Sequence, residues 1–69
     1  MQISARNSVK GTIKAVNLGA VNAEITIEIA PGVEVVSIIT KHSAESLGLA
    51  VGKEAYAVVK ASDVLIATD

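Results

Sequence analysis

Three short segments of this 69-residue chain concentrate side chains that donate hydrogen bonds. Ser4-Ala5-Arg6-Asn7 lies near the start, Thr40 and Ser43 lie in the middle, and Lys60-Ala61-Ser62 lies near the end. Arginine and lysine donate without accepting, and serine and threonine hydroxyls can do either. No aspartate or glutamate falls inside the three segments, and the first carboxylate beyond the last of them is Asp63. Brought together, they would make a cradle for a small anion, with two fixed positive charges, hydroxyls and backbone N–H groups. Each residue also has an ordinary use. Arg6 alone suits a surface ion pair, Asn7 a strand start, Thr40 and Ser43 a helix cap, and Lys60 a strand end along which its stem can lie.

Other chemistry finds little support. His42 is the only histidine and there is no cysteine, so a metal site built from thiolates or imidazoles is excluded. Loose serines without a placed base do not make a nucleophilic triad. The glycines stand singly, unlike the clustered glycines of a phosphate loop. Carboxylates are scattered along polar strand faces. The chain therefore reads as a binding protein and not an enzyme, with no catalytic cofactor.

The elements that must position these donors are mostly strands. From Val9, the odd positions Gly11, Ile13 and Ala15 are expected to face one way, and Lys10, Thr12 and Lys14 the other. Asn17-Leu18-Gly19 is expected to turn. Ala23, Ile25, Ile27 and Ile29 then alternate with Glu24, Thr26 and Glu28, and Pro31-Gly32 supplies turn chemistry. A third strand runs from Val33 to Ile39, where Val36 and Ile38 make its second face apolar and call for cover by another element or subunit. The period then changes: Thr40 to Gly48 predicts a short helix capped by Thr40, stopped by Gly48, with Ala44 and Leu47 on one face. Glu54–Lys60 and Val64–Ala67 predict two final strands. Five short strands with a helix between the third and fourth give a mainly β fold, the five-stranded Greek-key barrel called the OB-fold.

Residues 1–69 form one domain with no room for a second core. Such a chain buries only about 60% of its unfolded surface, and it has no disulfide to supplement it. Hydrophobic residues nevertheless make up 51% of it, almost all aliphatic, with Tyr56 the only aromatic. That surplus predicts self-association. A net charge of −1 with dispersed basic residues is a poor footprint for nucleic acid, and OB-folds that bind single strands stack bases on aromatics, of which this chain has Tyr56 alone. No secretory signal and no apolar run near the ~20 residues of a membrane helix is present. A soluble cytoplasmic protein is expected, with neither nucleic acid nor membrane as partner.

The segments also carry a resemblance. Ser4-Ala5-Arg6-Asn7, Val36-Ser37-Ile38-Ile39-Thr40 and Tyr56-Ala57-Val58-Val59-Lys60-Ala61-Ser62-Asp63-Val64 together make the chain similar, over essentially its whole length, to the molbindins, small proteins of a single Mop domain. The pairing of S-A-R-N with V-K-A-S-D-V carries the specificity. The resemblance implies an OB-fold protein that binds molybdate, and tungstate likewise, for storage or homeostasis of molybdenum. It implies a homohexamer, a trimer of dimers, with oxyanions held between subunits. Carried over by position, Ser4, Ala5, Arg6 and Asn7 would form the first binding segment, Thr40 and Ser43 the helix-start contacts, and Lys60, Ala61 and Ser62 the last segment. The same domain occurs in molybdate-responsive regulators and transporter subunits, so delivery of molybdate or a pterin cofactor to a partner is a second reading.

Overall fold

The computed structural model describes residues 1–69. Strand β1 spans Asn7–Leu18, β2 Asn22–Ala30, β3 Val33–Thr40 and β4 Glu54–Val59, with helix α1 at Lys41–Ser46 and a single 3-10 turn at Ala61–Asp63. All strand pairs are antiparallel, in the order β3-β2-β1-β4. The long β1 makes the sheet curl. Its first half, Asn7 to Thr12, pairs with β4, and its second half, Thr12 to Leu18, pairs with β2.

Gly11 sits at that crossover. A methyl group there would lie 2.5 Å from the Glu28 carbonyl oxygen and 2.6 Å from Ile27 Cγ2. Only a missing side chain lets the backbones approach so closely. Gly11→Ala is therefore expected to cost about 1–3 kcal/mol through overpacking, seen as a lower urea midpoint with an unchanged slope.

Two bulges alter the expected phase. The β1–β2 register shifts between Ile13 and Ala15, so that Ile13 opposes Ile27 while Ala15 opposes Thr26. One extra residue swaps faces, and Val16, not Ala15, follows Ile13 into packing against the core. A second shift between Glu28 and Ala30 takes Ile29 out of the β2–β3 ladder. The expected turn at Asn17-Leu18 is also displaced. Both residues remain in β1, paired with Glu24 and Ala23, and Gly19 donates to the Asn22 carbonyl at 2.8 Å to close the turn. The Pro31-Gly32 turn forms as expected, with Gly32 at φ +76°.

Helix α1 closes one end of the curled sheet. Ala44 is buried with Ile13, Ala23, Ile25 and Ile27. Thr40 caps the helix through its hydroxyl, and Gly48 follows it at φ +63°. Leu47, expected beside Ala44, instead stays 67% exposed. Lys53 Nζ donates to the Gly48 carbonyl at 2.9 Å and fastens the loop that leads into β4.

The barrel stays open. Val64–Ala67, expected as a fifth strand, is unpaired: Val64 N–H donates to the Ala61 carbonyl, and no backbone hydrogen bond follows. A strand needs a neighbour to satisfy its backbone, and no free edge of this chain meets the tail. Leu65 and Ile66 are 91% and 86% exposed. Between the free edges of β3 and β4 lies a slot of about 310 Å³, walled by Val35, Val36 and Ser37 on one side and Tyr56 to Val59 on the other, over Ile27.

Only 5 of 69 residues are buried, and the chain exposes 5261 Å². A compact monomer of 7.0 kDa would expose about 4,000 Å². The excess of about 1,200 Å² exceeds the ~800 Å² each partner contributes to an ordinary interface. The radius of gyration, 12.7 Å, is likewise above the ~11 Å of a compact chain this long.

Candidate functional site

The pairing of β1 with β4 decides which donors meet. Asn7, the first residue of β1, stands opposite Val59, the last of β4. Residues just before Asn7 and just after Val59 must therefore share one end of the sheet. There they line an open hollow of about 630 Å³, with Ser4, Ala5 and Arg6 on one side, Lys60, Ala61 and Ser62 on the other, and Ile3 and Val58 completing the wall. Six of the nine expected residues thus come together in one chain. The two apolar wall residues were not anticipated from sequence, where nothing sets Ile3 or Val58 apart from core aliphatics.

Asn7 adjoins the hollow without lining it. Thr40 and Ser43 lie elsewhere. Thr40 opposes Asn22 at the start of β2, next to Ala23, which opposes Leu18 at the far end of β1. The two groups lie toward different ends of the twelve-residue β1, and neither Thr40 nor Ser43 lines the hollow. In a single copy the three segments do not meet in one hollow.

At the helix start, Thr40 Oγ1 accepts from the Ser43 backbone N–H at 3.0 Å and donates to Ser43 Oγ at 2.8 Å. The Thr40 hydroxyl is spent on capping. Ser43 accepts that proton and keeps its own free to donate outward. His42 is exposed, with Nε2 at 3.5 Å from Ser46 Oγ, and no group of three His, Cys, Asp or Glu is placed to hold a metal ion. No helix is long and apolar enough to cross a membrane.

The electrostatics of the hollow are set by what its cations lack. Lys10 pairs with Glu54 at 2.9 Å and Lys14 with Glu28 at 3.7 Å. The hydrogen bond from Lys10 to Glu54, reinforced by the charge of Glu54 and by Tyr56, holds its ammonium above the usual lysine range. Lys53 is engaged with Gly48. Arg6 and Lys60 have no carboxylate within 4.0 Å, and neither they nor Ser4 nor Ser62 makes a side-chain hydrogen bond. Two unneutralised cations and two unused hydroxyls share one solvent-open hollow on a chain whose net charge is −1. Such a set can hold a small, multiply charged anion and offers no carboxylate to repel it.

A family model described as the TOBE domain matches residues 3–66. Molybdenum-pterin-binding protein 3 of Clostridium pasteurianum is 52% identical over 66 residues, which cover 96% of this chain and 97% of that protein. The chain belongs to the TOBE family, as a Mop (molbindin) domain. Its fold agrees with solved members. MopII from Clostridium pasteurianum, in a form called apo2, superposes on this Mop domain with a TM-score of 0.92 at 46% identity, over 97% of this chain and all of that one. The cytoplasmic molybdate-binding protein ModG, solved with molybdate bound, superposes with a TM-score of 0.88 at 46% identity, over 94% of this chain and 46% of that longer one. The OB-type architecture expected of the Mop domain is therefore present, with its fifth strand unformed in a single copy.

Proposed function

We propose that this chain binds molybdate, and tungstate through the same contacts, in pockets completed when copies of it assemble. The observation that carries the reading is the hollow at the joint of β1 and β4, where Arg6 and Lys60 stand unpaired beside Ser4 and Ser62. A tetrahedral dianion presents four oxygens that each accept more than one hydrogen bond. Arg6 and Lys60 would neutralise its two charges, and Ser4, Ser62 and the backbone N–H groups around Ala5 and Ala61 would fill the remaining directions. The relatives support the choice of anion: one is named for binding molybdenum-pterin and another is known with molybdate bound.

The remaining contacts would come from a neighbour. Ser43 keeps a free hydroxyl proton and does not line the hollow of its own chain, so its route to an anion at Arg6 is through a second copy. The surface excess and the exposed Val36, Ile38, Leu65 and Ile66 support such assembly. The slot lies open between the free edges of β3 and β4, and the tail from Val64 has no partner in its own chain. A second copy's tail in that slot would close the barrel and join the two copies. The reading is completed by a homohexamer, a trimer of such dimers, serving as a cytoplasmic store or buffer of molybdenum without catalysis.

Isothermal titration of the assembled protein with sodium molybdate tests the reading. Saturable binding, retained by tungstate, is the expected result. Heat no different from buffer dilution, with the assembly verified by native mass, would overturn it.

A further inference from the structure

The residues that wall the hollow are also the root of the tail. Lys60 enters the 3-10 turn in an extended conformation, φ −62° and ψ 131°, with no side-chain cap to hold it. The turn itself rests on two backbone bonds, Asp63 N–H to the Lys60 carbonyl at 2.8 Å and Val64 N–H to the Ala61 carbonyl at 3.3 Å. Every residue from Lys60 to Asp69 is exposed. After the Val64 N–H bond no backbone hydrogen bond fixes where Leu65 and Ile66 point. Their direction follows from the torsions of the turn, Lys60 to Val64, and the first three of those residues form one side of the hollow.

We propose that Lys60–Ser62 is a hinge shared by the anion pocket and the tail, so that an anion bound to Lys60 and Ser62 fixes the tail's direction and holds it in its partner. This rests on the oxyanion reading above. An anion gripped from one side by Arg6, the residue before β1, and from the other by Lys60 and Ser62 bridges the turn to the start of that strand. That bridge replaces the missing cap with a rigid contact. The tail then leaves the turn in one direction, and the ordering entropy of docking is met before the partner is reached. The anion pocket thereby controls the lifetime of the joint between copies, beyond whatever contacts the anion makes across it.

Asp63 separates the two roles. It lies between the hinge and the tail, does not line the hollow, and makes no side-chain hydrogen bond or ion pair. Asp63→Gly inserts a free torsion there and leaves every proposed anion contact in place. The readout is amide hydrogen exchange of residues 65–68 in the full-length assembly, with and without sodium molybdate, beside a titration of the same samples. At 100 times its Kd, an anion fully coupled to the tail suppresses tail release ~100-fold. The expected result is that suppression in the natural chain, and a suppression near unity in Asp63→Gly at unchanged binding stoichiometry. Molybdate that binds but leaves tail exchange unchanged in the natural chain overturns the hinge and spares the oxyanion reading. Equal slowing in both proteins also overturns the hinge, because the anion then clamps the interface without passing through the turn. Absence of molybdate binding overturns both.

Discussion

Replacing Arg6 or Lys60 by alanine is expected to weaken molybdate binding by about 10–100-fold each, and replacing both to leave no measurable site. A hydrogen bond to a charged group is worth about 1.5–3 kcal/mol net, and every 1.4 kcal/mol is tenfold in affinity. Neither cation has a carboxylate partner in the chain whose loss would confuse the result. Both are exposed, so truncation leaves no cavity. The effect should therefore fall on ligand and spare the fold. At molybdate 100 times the natural Kd, binding contributes about 2.7 kcal/mol of stability, and a 100-fold weaker variant keeps only ~0.4 kcal/mol at that concentration. Thermal unfolding should show it as a shift on the order of 10 °C in the natural chain that falls to about half or less in either variant, with the ligand-free midpoints alike. A variant that keeps the full shift would remove its residue from the site. Lys10→Ala is the control, because Lys10 is paired with Glu54 on β4 and does not line the hollow.

Sequence disclosed the donors more readily than their geometry. Ser4, Arg6, Lys60 and Ser62 stand out by type, and antiparallel pairing of the first and fourth strands brings their ends together whatever the finer details. The bulges were beyond reach of pattern. Ile13 and Ala15 look equivalent in a two-residue period, yet the extra residue between them turns Ala15 toward Thr26 and gives Val16 its place by the core. Gly11 read as a plain strand position, and only the crossover against Glu28 reveals why a side chain is excluded there. Leu47 shared the helical spacing of Ala44 but not its burial, because a six-residue helix presents a single turn to the sheet. Thr40 and Ser43 were legible as a cap, and the fold satisfies that role within one chain. As expected anion contacts they do not line the hollow beside Arg6 and Lys60, a distinction that residue type cannot make.

The fifth strand is the most consequential difference, and it leads to the second large effect. A chain ending at Asp63 is expected to lose its assembly and sediment as a monomer. Val64, Leu65 and Ile66 have the aliphatic character of a strand, yet the single chain forms none there. What the pattern could not contain is that this chain offers those residues no partner strand of its own. In a single chain these side chains are almost fully in water, so removing them takes nothing from the core of Ile13, Ile25 and Ile27. Docked in a partner's slot, each would contribute about 1.5–3 kcal/mol of burial, and reciprocal exchange doubles the sum across a pair. Losing that sum outweighs the few kcal/mol by which a small interface exceeds the cost of association. Sedimentation velocity of the shortened chain measures the outcome directly, and an unchanged mass would place the joint elsewhere on the molecule. Leu65→Glu with Ile66→Glu separates chemistry from length, since it keeps every backbone group of the tail. Dissociation in both proteins assigns the joint to these side chains. Far-UV circular dichroism of the separated subunits should then show weakened strand signal, because an open sheet with free edges at β3 and β4 and only five buried residues has little left to hold it.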